Sequence, residues 1–412
     1  MLVPRTLGAE GSEKVDATEC SSIAVVGGCG HVGLPLGLAF ADAGIDVVLY
    51  DIDHEAIDKV SAGKMPFFEH GADEVLDRVL ASGRLTLSAD PASVSAVEHV
   101  VVVVGTPVDK HLNPDPAAVV RAIELMLDHL HDGQHLVLRS TVYPGVTALV
   151  ERLLVQHGKR LDVSFCPERI AEGRAMDELH TLPQIVSGRT EQTIERATLL
   201  FGALTDQVIP VGVEEAELAK LFTNTWRYIK FAAANQLYMM ATDFGADYKA
   251  IHTAMTKDYP RAADIPGPGL AAGPCLLKDT MQLAAFNNNS FMLGHASMMV
   301  NEGLPMYLVN QLEERHDLST MTVGLLGMAF KAESDDIRSS LSYKLKRLLK
   351  IKSARVMCTD PYVTVDDDLH PLDHVLEQAD LLVVAAPHKR YADIVPTVPF
   401  LDVWDVLGTG AP

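Results

Sequence analysis

Short apolar runs alternate with longer amphipathic stretches along most of the chain, a pattern typical of parallel strands joined by helices. In the N-terminal part these apolar runs lie at residues 23–26, 45–51, 97–108, 135–145 and 162–166. The valine-rich run at 97–108 indicates a strand buried on both faces. Helices are expected between the runs, at 36–43 and at about 117–130. The pattern predicts a doubly wound parallel sheet.

The middle of the chain departs from this alternation. Neither proline nor glycine interrupts residues 214–244, and their spacing predicts one helix about 45 Å long that ends before Gly245. A helix of this length bridges domains or forms a dimer seam, and its apolar side chains Phe231, Tyr238 and Met239 favour a homodimer. After residue 320 the strand, loop and helix pattern returns.

The predicted fold class is α/β, with two Rossmann-like doubly wound parallel-sheet domains joined by the long central helix and a small helical domain. The expected boundaries are a mobile N-terminal tail at 1–20, a Rossmann domain at 21–207, a central helical domain at 208–318 and a C-terminal α/β domain at 319–412. A chain of 412 residues is too long for one hydrophobic core, which agrees with this division.

Composition and charge limit the classes of molecule that the protein is expected to bind. Hydrophobic residues make up 48% of the chain, which is ordinary for a folded protein, and no apolar run approaches the ~20 residues that span a bilayer. The net charge of −21 disfavours nucleic acids and anionic membranes. The cysteines lack CxxC spacing, which indicates a reducing compartment, and no metal site is expected. Because no apolar leader opens the sequence, the expected location is cytoplasmic.

A glycine-rich loop follows the first apolar run. It contains GxGxxG at Gly28, Gly30 and Gly33, and an acidic residue, Asp51, ends the second strand. The first glycine permits a tight turn, the second lets a pyrophosphate approach the backbone, and the third lets helix and strand pack together. The Asp51 carboxylate suits ribose hydroxyls and repels a 2′-phosphate, so NAD is favoured over NADP. This order of elements disfavours a coincidental glycine turn.

Hydroxyl-bearing residues end the following strands, at the carboxyl edge where doubly wound sheets bind ligands. Ordinary strand-ending hydroxyls remain the alternative for each of them. The side chains of Cys29 and His31, inside the glycine loop, are expected to be spectators. The expected cofactor-binding segments comprise Gly28, Gly30, His31, Val32, Gly33, Asp51, Thr106, Pro107, Ser140 and Thr141.

Two pairs of residues in the middle region are candidates for catalysis. Lys220 and Asn224 are spaced i, i+4 on the long helix, where they would stabilise an oxygen that gains negative charge. An exposed lysine and an ordinary asparagine are the alternative. Cys275 follows a glycine- and proline-rich loop at a predicted helix start, and Asp279 comes four residues later. A helix N-terminus favours thiolate, so Cys275 is a candidate nucleophile, with a buried structural cysteine as the alternative.

Further charged residues stand at predicted helix starts and loops. Glu168 and Glu172 would share a face if helical, although a solvated first turn is the plainer interpretation. Lys331 and Arg338 stand at a helix start in the C-terminal part, where they suit a diphosphate or a solvated turn. Arg261 precedes the loop of Cys275.

With these motifs in this order, the chain resembles the nucleotide-sugar 6-dehydrogenase family, which includes UDP-glucose, UDP-N-acetylmannosamine and GDP-mannose dehydrogenases. The matching segments, from about Ser22 to Gly408, are GGCGHVGLPLG, YDID, GTP, STVYPG, PERIAEG, AELAKLFTN, PGPG with the following C and KD, GMAFKAESDDIR and DPY. The resemblance implies that the sugar C6 alcohol is oxidised to a carboxylate. Two NAD⁺ would be reduced per turnover, through a thiohemiacetal and a thioester on Cys275.

The resemblance also implies roles for the other candidates. Asp279 and Thr141 would hold a proton-accepting water, and Glu168 would activate the hydrolytic water. Lys220 and Asn224 would stabilise the alkoxide-like oxygen. The implied substrate-binding residues are Glu168, Glu172, Lys220, Asn224, Arg261, Lys331 and Arg338, with Glu172 a sugar contact or a supporting residue and Arg261 reaching across a homodimer.

The chain departs from the family pattern at LAAGPC, where a glycine pair is expected, as in GxGGxC. Ala272 and Pro274 in this segment narrow the loop before Cys275. The segment APHKRY resembles the N-acetylhexosamine branch of the family more than the glucose branch. The sequence does not decide which sugar and which nucleotide base the substrate contains, and UDP-glucose, TDP-glucose and a UDP-N-acetylhexosamine are the candidates. Two alternatives also stay open. One is a two-electron, hydroxyacid-type NAD dehydrogenase, and the other is a catalytically silent nucleotide-sugar-binding homologue.

Overall fold

The computed structural model describes residues 22–109, 111, 113–271 and 273–408. The tail predicted at 1–20 and the substituted loop position Ala272 lie outside these residues. The chain divides into two compact units. Unit 1 spans Met1–Thr106 and Pro116–Lys220, and unit 2 spans Pro107–Asp115 and Leu221–Pro412.

Unit 1 has strands and helices in strict alternation over most of its length. Its strands are β1 (Ser22–Val26), β2 (Asp46–Tyr50), β3 (Leu85–Ser88), β4 (His99–Val102), β5 (His135–Leu138), β6 (Asp162–Phe165), β7 (Gln184–Ser187) and β8 (Val208–Val211). Its helices are α1 (Gly33–Asp42), α2 (His54–Ser61), α3 (Ala72–Ser82), α4 (Ala117–Glu124), α5 (Val146–Gln156), α6 (Ala175–Thr181), α7 (Glu191–Gly202) and the start of α8 (Val213–Asp243).

The main sheet of unit 1 is parallel, with the strand order β3-β2-β1-β4-β5-β6. Alternate residues of β1 enter cores on opposite faces, with Ile23 and Val25 in one and Ala24 and Val26 in the other. Strand order reverses between β1 and β4, so a crevice is expected at their carboxyl ends. The parallel pair β7-β8 continues beside β6, where the Ser187 hydroxyl donates to Phe165 O at 2.7 Å.

Unit 2 contains a smaller parallel sheet with helices around it. The strands are β9 (Thr322–Leu326), β10 (Arg355–Thr359), β11 (Leu381–Val384) and β12 (Phe400–Leu401), in the order β10-β9-β11-β12. The helices are the rest of α8, α9 (Tyr248–Thr256), α10 (Leu276–Phe286), α11 (Met292–Arg315), α12 (Leu341–Lys352) and α13 (Leu372–Gln378). The predicted α/β class, with two doubly wound parallel sheets and a long central helix, is confirmed.

The long helix was predicted at 214–244 and lies at Val213–Asp243. Its exposed apolar face differs from the predicted one, because Tyr238 is buried against Tyr248, with the ring centroids 5.9 Å apart. Phe231 and Met239 are half-buried. Among the described residues, no helix combines the length and the apolar character that crossing a membrane requires.

Candidate active site

The glycine loop between β1 and α1 is built for close backbone approach. A Cβ added at Gly33 would lie 2.1 Å from Gly27 O, and one at Gly28 would lie 2.8 Å from Leu49 Cβ. Glycine is therefore required at both positions. Helix α1 begins at Gly33 without an acidic residue in its first turn and without a capping side chain at Val32. Its N-terminus is thus suited to a phosphate, and these residues fit a dinucleotide.

Asp51 follows β2 and contacts the glycine loop directly. Its Oδ2 accepts from Cys29 N at 2.8 Å and its Oδ1 accepts from Asp53 N at 3.1 Å. These bonds leave further acceptor positions on both oxygens, as ribose recognition requires. The His31 ring stacks on Phe67 with the centroids 4.1 Å apart, a contact that the sequence did not reveal.

The strand-end hydroxyls of unit 1 meet at the carboxyl edge of the sheet. Thr106 Oγ1 donates to Thr141 O at 2.6 Å, and Ser140 Oγ donates to Val104 O at 2.8 Å. The two strand ends are thus tied together beside the glycine loop. Pro107 belongs to the segment Pro107–Asp115, which clusters with unit 2.

Glu168 is buried, and the helical interpretation of Glu168 and Glu172 is wrong. Both lie in an irregular segment before α6, which begins at Ala175. Glu168 Oε2 accepts from Nε and Nη2 of Arg139, whose side chain is inaccessible to solvent, and Oε1 accepts from the Arg169 and Ile170 N–H groups. This carboxylate therefore accepts four hydrogen bonds. Glu172 is half-buried.

Lys220 and Asn224 lie on α8 as predicted, and both are buried, so the alternative of an exposed lysine does not hold. In unit 2, Asn224 Nδ2 donates to Asp279 Oδ2. Asp279 is inaccessible to solvent. Lys278 Nζ lies 2.7 Å from Asp279 Oδ1, which accepts no hydrogen bond of good geometry from the described residues. A buried carboxylate oxygen of this kind is suited to an ordered water.

Cys275 is the exposed thiol among the four described cysteines. It occupies the N-cap position of α10, and its carbonyl accepts from Asp279 N at 2.9 Å, so one helical turn presents both residues. Burial raises the pKa of Cys29 and of Cys166 to about 12, and that of Cys358 to about 11. Burial therefore disfavours the reactive thiolate at these three positions, and Cys275 is the candidate nucleophile among the described cysteines.

The loop before Cys275 is fixed by side chains of unit 2. Asn235 on α8 accepts from Gly269 N at 2.8 Å and donates to Gly269 O at 3.0 Å. The ring of Phe330 fills the space where a Cβ of Gly273 would lie, at 2.5 Å. Gly273, the glycine in LAAGPC, therefore packs directly against an aromatic ring. The sequence did not indicate this contact.

The loop after β9 carries Lys331 and Arg338, the two cationic residues predicted to bind a diphosphate. Lys331 is half-buried, with Nζ 5.6 Å from the Phe330 ring centroid. Arg338 is exposed and forms an ion pair with Asp336 at 2.6 Å. Arg261 is exposed, with its guanidinium 6.0 Å from the ring centroid of Tyr259.

His388 of the APHKRY segment supports this loop. Its Nδ1 accepts from Glu333 N at 3.0 Å, and its Nε2 lies 3.1 Å from Asp360 Oδ2. His388, Arg139 and Asn235 are supporting residues that the sequence did not indicate. The partner of each lies far away in the chain, so no local pattern indicated the contact.

Comparison with known proteins gives a consistent result along the chain. Residues 21–205 match the NAD binding domain of the UDP-glucose/GDP-mannose dehydrogenase family, residues 214–302 match its central domain, and residues 324–408 match its UDP binding domain.

Individual proteins of this kind are similar over nearly the whole chain. UDP-N-acetyl-D-mannosamine dehydrogenase of Pyrococcus horikoshii is 30% identical over 385 residues, 90% of each chain. UDP-glucose 6-dehydrogenase of Haloferax volcanii is 31% identical over 379 residues, 87% of this chain and 88% of that one. The structure of a UDP-glucose dehydrogenase from Pyrobaculum islandicum has a TM-score of 0.87 and 27% identity, covering 98% of this chain and 96% of that one.

Proposed function

Because the chain belongs to the UDP-glucose/GDP-mannose dehydrogenase family and carries its NAD-binding domain, we propose that it oxidises the C6 alcohol of a nucleoside-diphosphate hexose to the uronic acid. The observation that carries this proposal is the first turn of α10. There an exposed Cys275 precedes a buried Asp279, which Asn224 binds from α8. A two-electron dehydrogenase would need no thiol at this position.

The reaction requires two oxidations at one carbon. NAD, when bound, takes two electrons in each of them. In the first, Lys220 and Asn224 stabilise the developing alkoxide, and the alcohol proton passes to a water held by Asp279 and Thr141. The product is an aldehyde at C6, which must acquire a fourth substituent before it can be oxidised again.

The thiol supplies that substituent. The Cys275 sulfur bonds to C6, the carbonyl π electrons move to oxygen, and that oxygen takes up a proton to give a thiohemiacetal. In the second oxidation the hydroxyl of the thiohemiacetal gives its proton to the water held by Asp279 and Thr141, C6 loses its hydrogen together with two electrons, and the carbon–oxygen double bond of a thioester forms. Water then attacks C6, the carbon–sulfur bond breaks, and the carboxylate leaves while the thiol is restored.

We assign activation of the hydrolytic water to Glu168. Since its oxygens already accept four hydrogen bonds, it can take a proton only after one donor is released. The backbone donors at Arg169 and Ile170 are the ones that a loop movement can release, whereas Arg139 is fixed in the core.

We assign the diphosphate to cations of unit 2 and the sugar to Glu172. Lys331 and Arg338 stand on one loop, and Arg338 has to turn from Asp336 toward the ligand. Arg261 is exposed and available to a ligand or to a second subunit. A UDP-linked N-acetylhexosamine is the first substrate to test, followed by UDP-glucose and TDP-glucose, because named relatives act on both classes of sugar.

We also propose a homodimer that forms through α8. Five exposed apolar side chains lie along one face of this helix and its end: Phe222, Trp226, Leu237, Met240 and Phe244. Their spacing confines them to one stripe, and such a continuous exposed stripe marks an interface. The proposed domain limits remain 21–207, 208–318 and 319–412. The four described cysteines form no disulfide with one another, which supports a reducing, cytoplasmic location.

The deciding experiment is product analysis with NAD and a panel of UDP-, TDP- and GDP-sugars. Two NADH per sugar and a uronate product are expected. One NADH with a ketone product would favour the hydroxyacid-type dehydrogenase instead. Binding of a nucleotide sugar without any NADH would favour a silent homologue.

A further inference from the structure

One buried carboxylate of unit 1 has no part in the roles assigned above. Glu217 lies on α8 and is 1% exposed. Its Oε2 accepts from Gly145 N at 2.6 Å, and its Oε1 accepts from Thr147 N at 2.9 Å and from Thr147 Oγ1 at 2.6 Å. Three donors therefore satisfy this buried charge.

These donors form the N-terminus of α5. The N-cap residue of α5 is Gly145, which has φ 97° and no side chain to cap the helix. The first N–H groups of a helix have no partners within it, so a cap must come from elsewhere. Glu217 supplies that cap from another helix, and the positive end of the α5 dipole favours its charge.

These three hydrogen bonds therefore join α8 to the loop before α5, and each of these two segments carries a proposed catalytic group. Gly145 ends the loop of Thr141, whose carbonyl is already held by Thr106 Oγ1. Lys220 lies three residues beyond Glu217, one turn further along α8, and is buried. Both groups belong to unit 1, and Glu217 joins the segments on which they stand.

We propose that Glu217 is a positioning residue, which fixes the turn of α8 that carries Lys220 relative to the loop that carries Thr141. This inference rests on the proposed function, because it assumes that Lys220 and Thr141 act on the reacting oxygen. A displacement of about 1 Å at such a group can cost on the order of a hundredfold in rate.

The test compares Glu217→Gln and Glu217→Ala with the natural enzyme. The glutamine is nearly isosteric, but its amide offers a donor where Gly145 N needs an acceptor. We expect kcat to fall about tenfold for Glu217→Gln and on the order of a hundredfold for Glu217→Ala. The KM for the sugar and the Kd for NAD should stay within about twofold of their natural values, because Glu217 is buried and its carboxylate binds Gly145 and Thr147.

A matched control is Asp162→Ala. Asp162 is the first residue of β6, at the amino end of the strands of the main sheet and away from the carboxyl ends that carry the proposed site. Asp162 also accepts from a threonine hydroxyl, Thr193 Oγ1 at 3.0 Å, and forms an ion pair with Arg196 at 2.7 Å. This variant should lose stability and keep its kcat. If Glu217→Gln also lowered only the melting temperature and kept its kcat, Glu217 would be a structural cap and the inference would be wrong.

A double-mutant cycle with Lys220→Met separates the inference from the proposed function. If Glu217 acts through Lys220, Glu217→Gln should change the residual rate little in the Lys220→Met background. An equal loss in both backgrounds would overturn the inference alone. Natural turnover in Lys220→Met itself would instead contradict the role proposed for Lys220.

Discussion

At the scale of single residues, the carboxylates of the two units differ in what they can still accept. Asp51 binds two backbone donors and keeps acceptor positions for a ribose. Glu168 accepts four hydrogen bonds and is held by Arg139. Asp279 is buried, with one oxygen bound by Asn224 and the other beside Lys278. Their proposed roles in cofactor recognition, hydrolysis and water binding follow from these environments.

Replacing Cys275 by serine should separate binding from chemistry. We expect uronate formation in Cys275→Ser to fall on the order of a thousandfold, because the hydroxyl is a much weaker nucleophile than a thiolate. NAD affinity, measured by fluorescence titration, should be unchanged. As a control, Cys358→Ala removes a buried thiol and should keep full activity. Natural rates of uronate production in Cys275→Ser would refute the nucleophile assignment.

Replacing Asp51 by alanine should weaken NAD binding and relax the discrimination against NADP. The loss of the ribose hydrogen bonds should raise the Kd for NAD about tenfold, and the negative charge that repels a 2′-phosphate would be gone. The control is Asp53→Ala, which removes the cap on Ala56 N at the start of α2 and costs about 1 kcal/mol of stability. Cofactor selectivity should not change in that control. Unchanged selectivity in Asp51→Ala would exclude Asp51 as the ribose ligand.

At the scale of elements, sequence periodicity located the long helix to within one residue at each end and found five of the six strands of the main sheet in unit 1. It missed the short strand β3, the pair β7-β8 and the helix α11, which contains Pro305, a residue that normally ends a helix. It also allowed a helix at Glu168, whereas Arg139, which directly follows β5, binds that residue in an irregular segment. The local sequence pattern predicts helices and strands well. The partner of a buried charge depends on the tertiary fold, so the local pattern does not identify it.

A chain of buried side chains across three strands makes unit 1 sensitive to acid. His99 Nδ1 on β4 lies 3.0 Å from His135 Nδ1 on β5, and His135 Nε2 lies 2.8 Å from Ser164 Oγ on β6. Burial lowers the pKa of His99 to about 4, against the opposing effect of Glu98, and burial together with His99 and Arg196 lowers the pKa of His135. Both rings are therefore neutral in the folded protein at neutral pH.

The free energy of unfolding should fall as the pH drops from about 6.5 toward 4. In the unfolded chain both histidines titrate near 6.5, so that state takes up protons which the folded state does not. We expect a loss on the order of 4 kcal/mol between pH 7 and pH 5, about half of it from each histidine, measured by urea unfolding. His135→Gln should remove about half of this dependence, because His99 still contributes, and the exposed His54→Gln should leave it unchanged. A flat profile in the natural protein would contradict the interpretation.

At the scale of the whole molecule, the exposed stripe on α8 predicts self-association. Trp226, which is 55% exposed, lies in this stripe, so Trp226→Asp should place a charge in the interface and convert the dimer to a monomer in sedimentation velocity. Leu125→Asp changes a comparably exposed apolar residue in unit 1 and should leave the dimer intact. A natural protein that sediments as a monomer would contradict the proposed dimer.

The burial of Cys29, Cys166 and Cys358 has a consequence under oxidative conditions. Hydrogen peroxide reacts with thiolates that it can reach, and these three sulfur atoms are neither ionised nor accessible. Among the described cysteines, damage should therefore concentrate on Cys275 as a sulfenic acid, which a small thiol reductant reverses. A sugar nucleotide seated over that sulfur would shield it, so an enzyme supplied with substrate should outlast an idle one.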